Sequence, residues 1–308
     1  MSHLDRPVLG IVLMLGFCVL APLGDGLAKV AGSLVPLGVL ILVRFSTQFV
    51  LLAPLVAIRR LEWRYRGRVL ALVLTRTLLH IVGIGAMFLS LRFLPLAEAI
   101  AIAFVMPFIM LLLGKFVLGE EVGPRRLIAC CVGFIGTLMV VQPTFAAVGA
   151  PALLPLLVAL VFALFMLVTR QIARESDPIA LQAVSGAIAT VILLVGMGLW
   201  GATEGDLALS IPPRETWFLL ATIGVIGTCA HLLMTWSLRF APSATLAPMQ
   251  YLEIPFATII GWFLFRDLPN GLAAAGITVT IATGLYIVYR EQVTARAIRT
   301  MPADPVDP

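Results

Sequence analysis

Long apolar stretches follow one another along the chain, and short polar segments separate them. A helix needs roughly 20 mostly apolar residues to cross the ~30 Å hydrocarbon layer of a bilayer. The pattern therefore predicts an all-α integral membrane protein with ten transmembrane helices. The predicted helices cover residues 8–30, 35–58, 69–90, 96–118, 126–142, 151–172, 179–201, 216–237, 243–265 and 271–289.

Composition excludes several other classes of protein. Of the 308 residues 61% are hydrophobic and 12% charged, which is too apolar for a soluble domain of this size. The formal charge of +5 does not indicate nucleic-acid binding, because the arginines lie in short loops rather than on one basic face. The four cysteines lie inside apolar runs, so we expect neither disulfides nor thiol chemistry. We expect no cofactor and no metal site.

The basic residues predict the orientation in the membrane, since cytoplasmic loops carry an excess of Lys and Arg. With the N-terminus inside, the inner segments hold 15 of these residues and the outer segments hold 4. Both termini are therefore predicted to be cytoplasmic. Short loops, an uncleaved first helix and the absence of a sorting segment predict a bacterial inner membrane protein.

The two halves of the chain resemble each other. The sequence SLRFLP at residues 90–95 recurs 147 residues later as SLRFAP at residues 237–242. Each repeat contains five predicted helices, so the second copy enters the membrane from the opposite side. We expect one repeat over residues 1–145, an inverted copy over 146–290, and an irregular cytoplasmic tail over 291–308.

On these residues the chain resembles the EamA-type members of the drug/metabolite transporter superfamily. The most specific stretch is LRFLPLAEA at residues 91–99, followed by Pro107 and by LGEE at residues 118–121. The resemblance covers residues 8–290. It implies ten helices, alternating access, and a central cavity lined by the third, fourth, eighth and ninth helices. One departure is that Gly24, Asp25 and Gly26 stand where the first helix of the family commonly has a Trp-Gly pair.

Ionisable groups inside a membrane span cost at least ~2.5 kcal/mol each, so each one is a candidate for function. On the first helix, Asp25 and Lys29 lie four residues apart, which favours an ion pair along one helical face. The alternative is that Asp25 exchanges partners during transport, which makes it a candidate for proton coupling.

The third helix places Arg76 and His80 on one face, as the second helix does with Arg44 and Gln48. Arg76 either extends to the headgroups as an anchor or binds substrate. His80 either bonds to a neighbouring helix or contacts substrate. Glu98 lies in the first turn of the fourth helix, where the helix dipole favours a carboxylate, and both a structural and a substrate-binding role are open.

Prolines interrupt the fourth and ninth predicted helices at similar depth, at Pro107, Pro248 and Pro255. Paired kinks near the midplane are typical of a cavity. Glu253 lies beside them and is predicted to accept a proton and couple transport to the proton gradient, or else to be a hydrogen-bonded structural residue. On the eighth helix, His231 shares a face with two threonines and predicts a second cavity wall. The predicted substrate-binding residues are His80, Glu98, His231, Trp236, Gln250, Tyr251 and Glu253.

Small residues recur at helical spacing in the fifth and tenth predicted helices. Such rows let helices approach closely, either within a monomer or across a homodimer, and both alternatives stay open. The rows are Ala129, Gly133 and Thr137, and Gly276, Thr280 and Gly284.

We therefore expect a secondary transporter of a small organic metabolite or drug. The branches of the family that it resembles carry amino acids, riboflavin, S-adenosylmethionine and nucleotide precursors. We favour a heteroaromatic metabolite such as riboflavin. An amino acid or S-adenosylmethionine is the alternative substrate. An integral membrane enzyme is the rival from another class, but the chain has no paired histidines at helix spacing and no nucleophile elbow. The expected partners are the substrate and the lipid bilayer.

Overall fold

The computed structural model describes residues 7–106, 108–109, 124–172, 176–200, 205–240, 246 and 250–300. These residues form ten α-helices, which fall on the ten segments predicted from the apolar pattern. The helices are α1 Pro7–Ala31, α2 Leu37–Ile58, α3 Gly67–Ser90, α4 Leu96–Ala103, α5 Pro124–Val148, α6 Leu154–Ile172, α7 Pro178–Trp200, α8 Thr216–Phe240, α9 Glu253–Phe265 and α10 Gly271–Thr300.

Seven described helical segments are long and apolar enough to cross a membrane. They lie in α1, α2, α3, α5, α6, α7 and α8, while α9 and the start of α10 are shorter apolar helices. Large apolar side chains are exposed on the outside of the bundle, among them Phe218 at 83% and Leu199 at 69%. An exposed apolar surface on this scale is suited to lipid rather than to water.

The expectation of an irregular tail from residue 291 is wrong for its first part, because α10 continues to Thr300. The chain contains neither Gly nor Pro between Gly284 and Pro302, so nothing in this stretch ends the helix. The rest of the tail, residues 301–308, lies outside the described residues.

The helices pack in pairs that join the two halves of the chain. The closest pairs are α1 with α8, α3 with α6, α2 with α7, and α5 with α10. Further contacts join α2 to α8, α3 to α7, α1 to α9, α4 to α6, and α4 to α9. Each half therefore packs mainly against the other half.

We call the face that carries the start of α1 the N-side, and the other face the far side. On the N-side, Arg239 at the end of α8 pairs with Asp177 before α7 at 4.0 Å. On the far side, Arg92 after α3 pairs with Asp206 before α8. The ion pairs thus connect helix ends that lie on the same face.

The centre of the bundle is built around α4, whose residues from Leu96 to Ile102 are all buried. A helix that is apolar on all sides belongs inside a bundle. The close approach predicted for the fifth and tenth helices occurs within the monomer. Its contact point is Gly136 rather than Gly133: a Cβ at Gly136 would lie 3.0 Å from the Gly276 carbonyl oxygen, while Gly133 packs against Phe108.

Candidate functional site

A central cavity of about 890 Å³, including its opening, lies between the two halves of the bundle. Seven helices line it: the predicted α3, α4, α8 and α9, and in addition α1, α2 and α6. Eight of the 23 lining residues are phenylalanine or methionine, including Phe17, Phe88, Phe104, Phe162, Met87 and Met234.

Breaks in two helices open the middle of the bundle. The α-helical part of α4 ends at Ala103, and Phe104 and Val105 form a turn. Ala103 is four residues before Pro107, the position whose carbonyl a proline ring displaces. Tyr251 and Leu252 form the matching turn before α9. Pro107 and Pro248 themselves lie outside the described residues.

These two turns touch each other across the bundle. The rings of Phe104 and Tyr251 lie 5.3 Å apart between centroids. Phe104 and Tyr251 are also 147 residues apart in the sequence, the spacing of the internal repeat. The interruptions predicted from the prolines therefore meet at one point beside the cavity.

Carboxylates line the cavity from two sides. Glu253 begins α9, and Asp25 lies six residues before the end of α1, about 9 Å below the far side. Their negative charges repel each other. Gln250 lines the wall beside Glu253 and is 6% exposed. Asp25, Gln250 and Glu253 all line the cavity, and the substrate-binding and proton-coupling roles expected of them stay predictions.

One arginine also reaches the cavity. Arg44 on α2 is 2% exposed, and its charge attracts Asp25. Its Nη1 donates to Gln48 Oε1 at 3.1 Å. Gln48 Nε2 in turn donates to the Gln182 carbonyl oxygen at 2.7 Å. A chain of hydrogen bonds that joins α2 to α7 therefore holds Arg44 in place.

A histidine pair forms the floor of the cavity on the N-side. His231 on α8 lines the cavity, and His80 on α3 lies behind it with 3.4 Å between the two Nε2 atoms. His80 is fully buried and contacts a neighbouring helix through His231, while its expected role in substrate binding stays a prediction. His80 also contacts Phe165, and with it belongs to a layer of side chains toward the N-side.

That layer, which we call the N-side seal, consists of His80, Phe165, Arg76, Thr169 and Ser185. Arg76 is fully buried and stacks over the Phe165 ring at 4.6 Å. Its Nε donates to Thr169 Oγ1 at 3.0 Å and its Nη1 to Ser185 Oγ at 2.9 Å. Arg76 therefore neither extends to the headgroups nor lines the cavity, contrary to both expectations. Arg76 cannot extend to the headgroups because α3 lies deep in the bundle at this point. It does not reach the cavity because the histidine pair lies between.

Besides His80, three predicted site residues lie away from the cavity lining. Glu98 is 7% exposed and accepts a hydrogen bond of 2.6 Å from Thr144 Oγ1. Trp236 packs against the buried cluster around Leu52. Tyr251 borders the cavity only indirectly, through its ring contact with Phe104. Among the described residues these side chains support the walls rather than face the cavity.

The predicted ion pair between Asp25 and Lys29 does not form. Lys29 Nζ pairs instead with Asp267 at 3.5 Å and donates to the Leu94 carbonyl oxygen at 2.8 Å. The end of α1 packs against α9. Lys29 therefore finds its partner in the segment after α9, and Asp25 is left facing the cavity.

Two functional positions were not identified from the sequence. Arg44 was noted only for sharing a face with Gln48, and Gly227 on α8 was not considered at all. A Cβ at Gly227 would lie 2.6 Å from Arg44 Cζ, so this glycine makes room for the guanidinium group. An intramembrane arginine with no acidic residue one turn away on its own helix was the signal available for Arg44.

The sequence matches a known protein family over most of its length. The family model described as "EamA-like transporter family" matches residues 8–142 and 150–290. The chain is 30% identical over 252 residues to a riboflavin transporter of Rhizobium johnstonii, covering 80% of this chain and 77% of the relative. It is 24% identical over 221 residues to an S-adenosylmethionine uptake transporter of Rickettsia prowazekii, covering 70% of this chain and 71% of that relative.

A solved crystal structure is also similar. It superposes with a TM-score of 0.62 at 14% sequence identity and covers 96% of this chain and 98% of its own. Identity this low shows a shared fold and nothing about the substrate.

Proposed function

The chain belongs to the EamA-like transporter family, and we propose that it carries a small heteroaromatic metabolite, with riboflavin as the favoured example, by alternating access. The central cavity supports this proposal most directly. It joins aromatic and methionine walls to a few polar groups, Asp25, Arg44, His231, Gln250 and Glu253. Such walls suit a flat ring, and such polar groups suit the heteroatoms on its edge.

A carrier of S-adenosylmethionine is the second candidate. Two carboxylates face the cavity against one arginine, which favours a ligand with a positive charge. The similarity to a relative named for S-adenosylmethionine uptake points the same way. An amino acid carrier has less support, because the cavity walls carry more aromatic side chains than an amino acid needs. We propose no catalytic role.

We further propose that ten transmembrane helices form two inverted repeats, over residues 1–145 and 146–290. The helix pairs support this arrangement, since exchanging each helix with the one five places along reproduces the same set of pairs. Equivalent residues also make equivalent bonds. Ser90 Oγ donates to the Met87 carbonyl at 2.7 Å, and 147 residues later Ser237 Oγ donates to the Met234 carbonyl at 2.9 Å.

We assign the N-side to the cytoplasm of a bacterial inner membrane, so that both termini are cytoplasmic. Four arginines in the loop between α2 and α3, and a fifth in the first turn of α3, support this orientation. The N-side seal then closes the cavity from the cytoplasm. Alternating access requires the bonds of Arg76 to Thr169 and Ser185 to break while contacts on the far side form. Because α5 and α10 use their small residues against each other, these rows do not support a homodimer interface.

Glu253 and Asp25 are our candidates for proton coupling. Both face the cavity, their charges repel, and a ligand or a proton that enters between them relieves that repulsion. Glu253 has no cation within salt-bridge distance among the described residues, whereas Asp25 is attracted by Arg44. We therefore assign the proton to Glu253 first.

Uptake of radiolabelled riboflavin into proteoliposomes tests the proposal. We expect accumulation that increases when the compartment from which riboflavin is taken is made acidic. Glu253→Gln should abolish this pH dependence but leave exchange of internal for external riboflavin in place, because only the coupling group has been removed. Glu62→Gln, in the exposed loop between α2 and α3, is the matched control.

The outcomes separate the parts of the proposal. If uptake by the Glu253→Gln variant still depends on pH, Glu253 is not the proton-coupling residue. Uptake of S-adenosylmethionine without uptake of riboflavin replaces the favoured substrate by the second candidate. Uptake of neither compound contradicts both.

A further inference from the structure

Arg44, which lines the cavity, carries a buried hydrogen-bond donor that no protein group among the described residues uses. Its Nη1 is engaged by Gln48, but its buried Nη2 has no hydrogen-bond partner. Buried donors in folded proteins nearly always have partners, so an unused one facing a cavity indicates a place for a ligand acceptor. Arg44 lies among the cavity-lining residues, which means that a bound molecule can reach it.

Gly227 is the residue that gives the guanidinium group its position. A Cβ there would lie 2.6 Å from Arg44 Cζ and 2.8 Å from Arg44 Nη2, closer than real contacts allow. Glycine inside a helix costs about 1 kcal/mol relative to alanine, so its presence in the middle of α8 needs a compensating role. Here the absent side chain lets the plane of Arg44 lie against the backbone of α8.

The guanidinium group is also held in place before any ligand arrives. Gln48 anchors it from α2, and Gln48 itself is bound by Gln182 of α7. Gln182 Nε2 donates to the His231 carbonyl and to Thr235 Oγ1, both at 3.2 Å. Because this network is fully buried, Arg44 loses little conformational freedom when it binds an acceptor.

Asp25 supplies the complementary acceptor on the same wall. Its charge attracts Arg44, yet neither Nη1 nor Nη2 of Arg44 donates to it. Both residues line the cavity, so the gap between the free donor and the carboxylate faces the ligand. The adjoining walls are the aromatic rings of Phe17 and Phe88, which suit a planar body.

We propose that Arg44 and Asp25 together recognise one edge of a flat heterocycle, a ring carbonyl that accepts from Arg44 Nη2 beside a ring N–H that donates to Asp25. This assignment rests on the proposed function. It names the chemical pattern of the substrate, an imide or lactam edge, and it makes Arg44 a specificity-determining residue. A heterocycle that presents only acceptors there leaves Asp25 unpaired and is bound less tightly.

Flavin fluorescence quenching by the detergent-purified protein tests this pattern. Riboflavin carries a carbonyl beside the imide N–H, and 3-methylriboflavin has that N–H replaced by a methyl group. We expect the wild-type protein to bind 3-methylriboflavin at least about tenfold more weakly. Asp25→Ala should reduce the difference to about twofold, because the acceptor that distinguishes the two flavins is gone.

Variants of the donor side complete the test. Gly227→Ala should weaken binding of both flavins about tenfold, because the new Cβ displaces the guanidinium group. Gly196→Ala on α7, where a Cβ meets no atom within 4 Å, is the matched control and should bind normally. Arg44→Gln should weaken both flavins like Gly227→Ala.

Equal affinity of the wild-type protein for the two flavins overturns the inference and leaves the proposed function standing. Normal binding by Gly227→Ala overturns the role of Arg44. If neither flavin binds, riboflavin is excluded as the substrate. The same comparison is then made with uridine, which carries the same imide edge, and 3-methyluridine, in which the N–H is methylated. Failure of both pairs to bind, or equal binding within the second pair, overturns the inference.

Discussion

Arg44 and Arg76 are alike in most respects and differ in what surrounds them. Both lie inside membrane helices, both are at most 2% exposed, and both stack on a phenylalanine ring. Arg44 borders the cavity and is attracted by Asp25. Arg76 lies beneath the histidine floor, bonded to two hydroxyl groups, with no carboxylate in salt-bridge distance among the described residues.

The comparison shows that burial in an apolar helix does not by itself make an arginine part of a binding site. What separates the two is the side chain between them and the cavity. Arg44 lines the cavity in the space that Gly227 leaves free, whereas Arg76 stacks on Phe165, which itself contacts His80. We therefore expect changes at Arg76 to affect stability first and changes at Arg44 to affect binding first.

The largest effect should come from Arg76→Ala. It removes two hydrogen bonds and the stack on Phe165, and it leaves a void in the seal. We expect the free energy of unfolding to fall by about 3 kcal/mol. Arg76→Met should recover much of this loss, because it fills the void without burying a charge. Thermal unfolding of the purified protein without ligand measures both.

Arg44→Ala is the control for this prediction, since its void opens to the cavity and can hold water. We expect it to cost about 1 kcal/mol. A loss as large as that of Arg76→Ala would show that Arg44 is mainly structural, and the contrast between the two arginines would disappear.

The histidine floor offers an intermediate test. His231 faces the cavity and His80 does not, so His231→Ala should weaken riboflavin binding about fivefold, which corresponds to one lost hydrogen bond. His80→Ala should change binding less than about twofold, although it lowers stability. Fluorescence quenching provides the affinities. If His80→Ala weakens riboflavin binding more than His231→Ala does, then His80 rather than His231 contacts the ligand, and our description of the histidine floor is wrong.

The smallest effect should come from an arginine at the surface. Arg239 does have an acidic partner, Asp177, but the pair is 4.0 Å long and partly exposed. Asp177→Asn keeps the cap on α7, where Oδ1 accepts from the Ile179 amide at 2.8 Å, and removes only the charge. We expect less than about 1 kcal/mol of lost stability, decreasing further in high salt. A larger loss, independent of salt, would contradict this.

The sequence predicted the helices well because each one depends on a local run of apolar residues. It also predicted the breaks in α4 and α9, since a proline acts on its own helix. It failed for partners from distant parts of the chain. Lys29 bonds to Asp267 rather than to Asp25, and the hydrogen bond from Thr144 of α5 to Glu98 was not predicted.

The choice of partner depends on how each helix is rotated, and a rotation of one residue turns a side chain by about 100°. Periodicity shows which residues share a face, as it did for His231, but not which helix that face meets. The role of Gly227 was hidden for a further reason: its effect comes from space that it leaves for a residue 183 positions away.

The interruptions of α4 and α9 have an electrical consequence. Peptide dipoles add along a helix to about +0.5 charge at its N-terminus and −0.5 at its C-terminus. The last carbonyls of α4, at Ala103, lie at the cavity, and so do the first amides of α9, at Glu253. The cavity therefore contains a fixed field from the backbone, present whether or not its carboxylates carry protons. This field favours one orientation of the dipole of a polar solute that enters the cavity. The backbone thus orients the solute before side chains bind it.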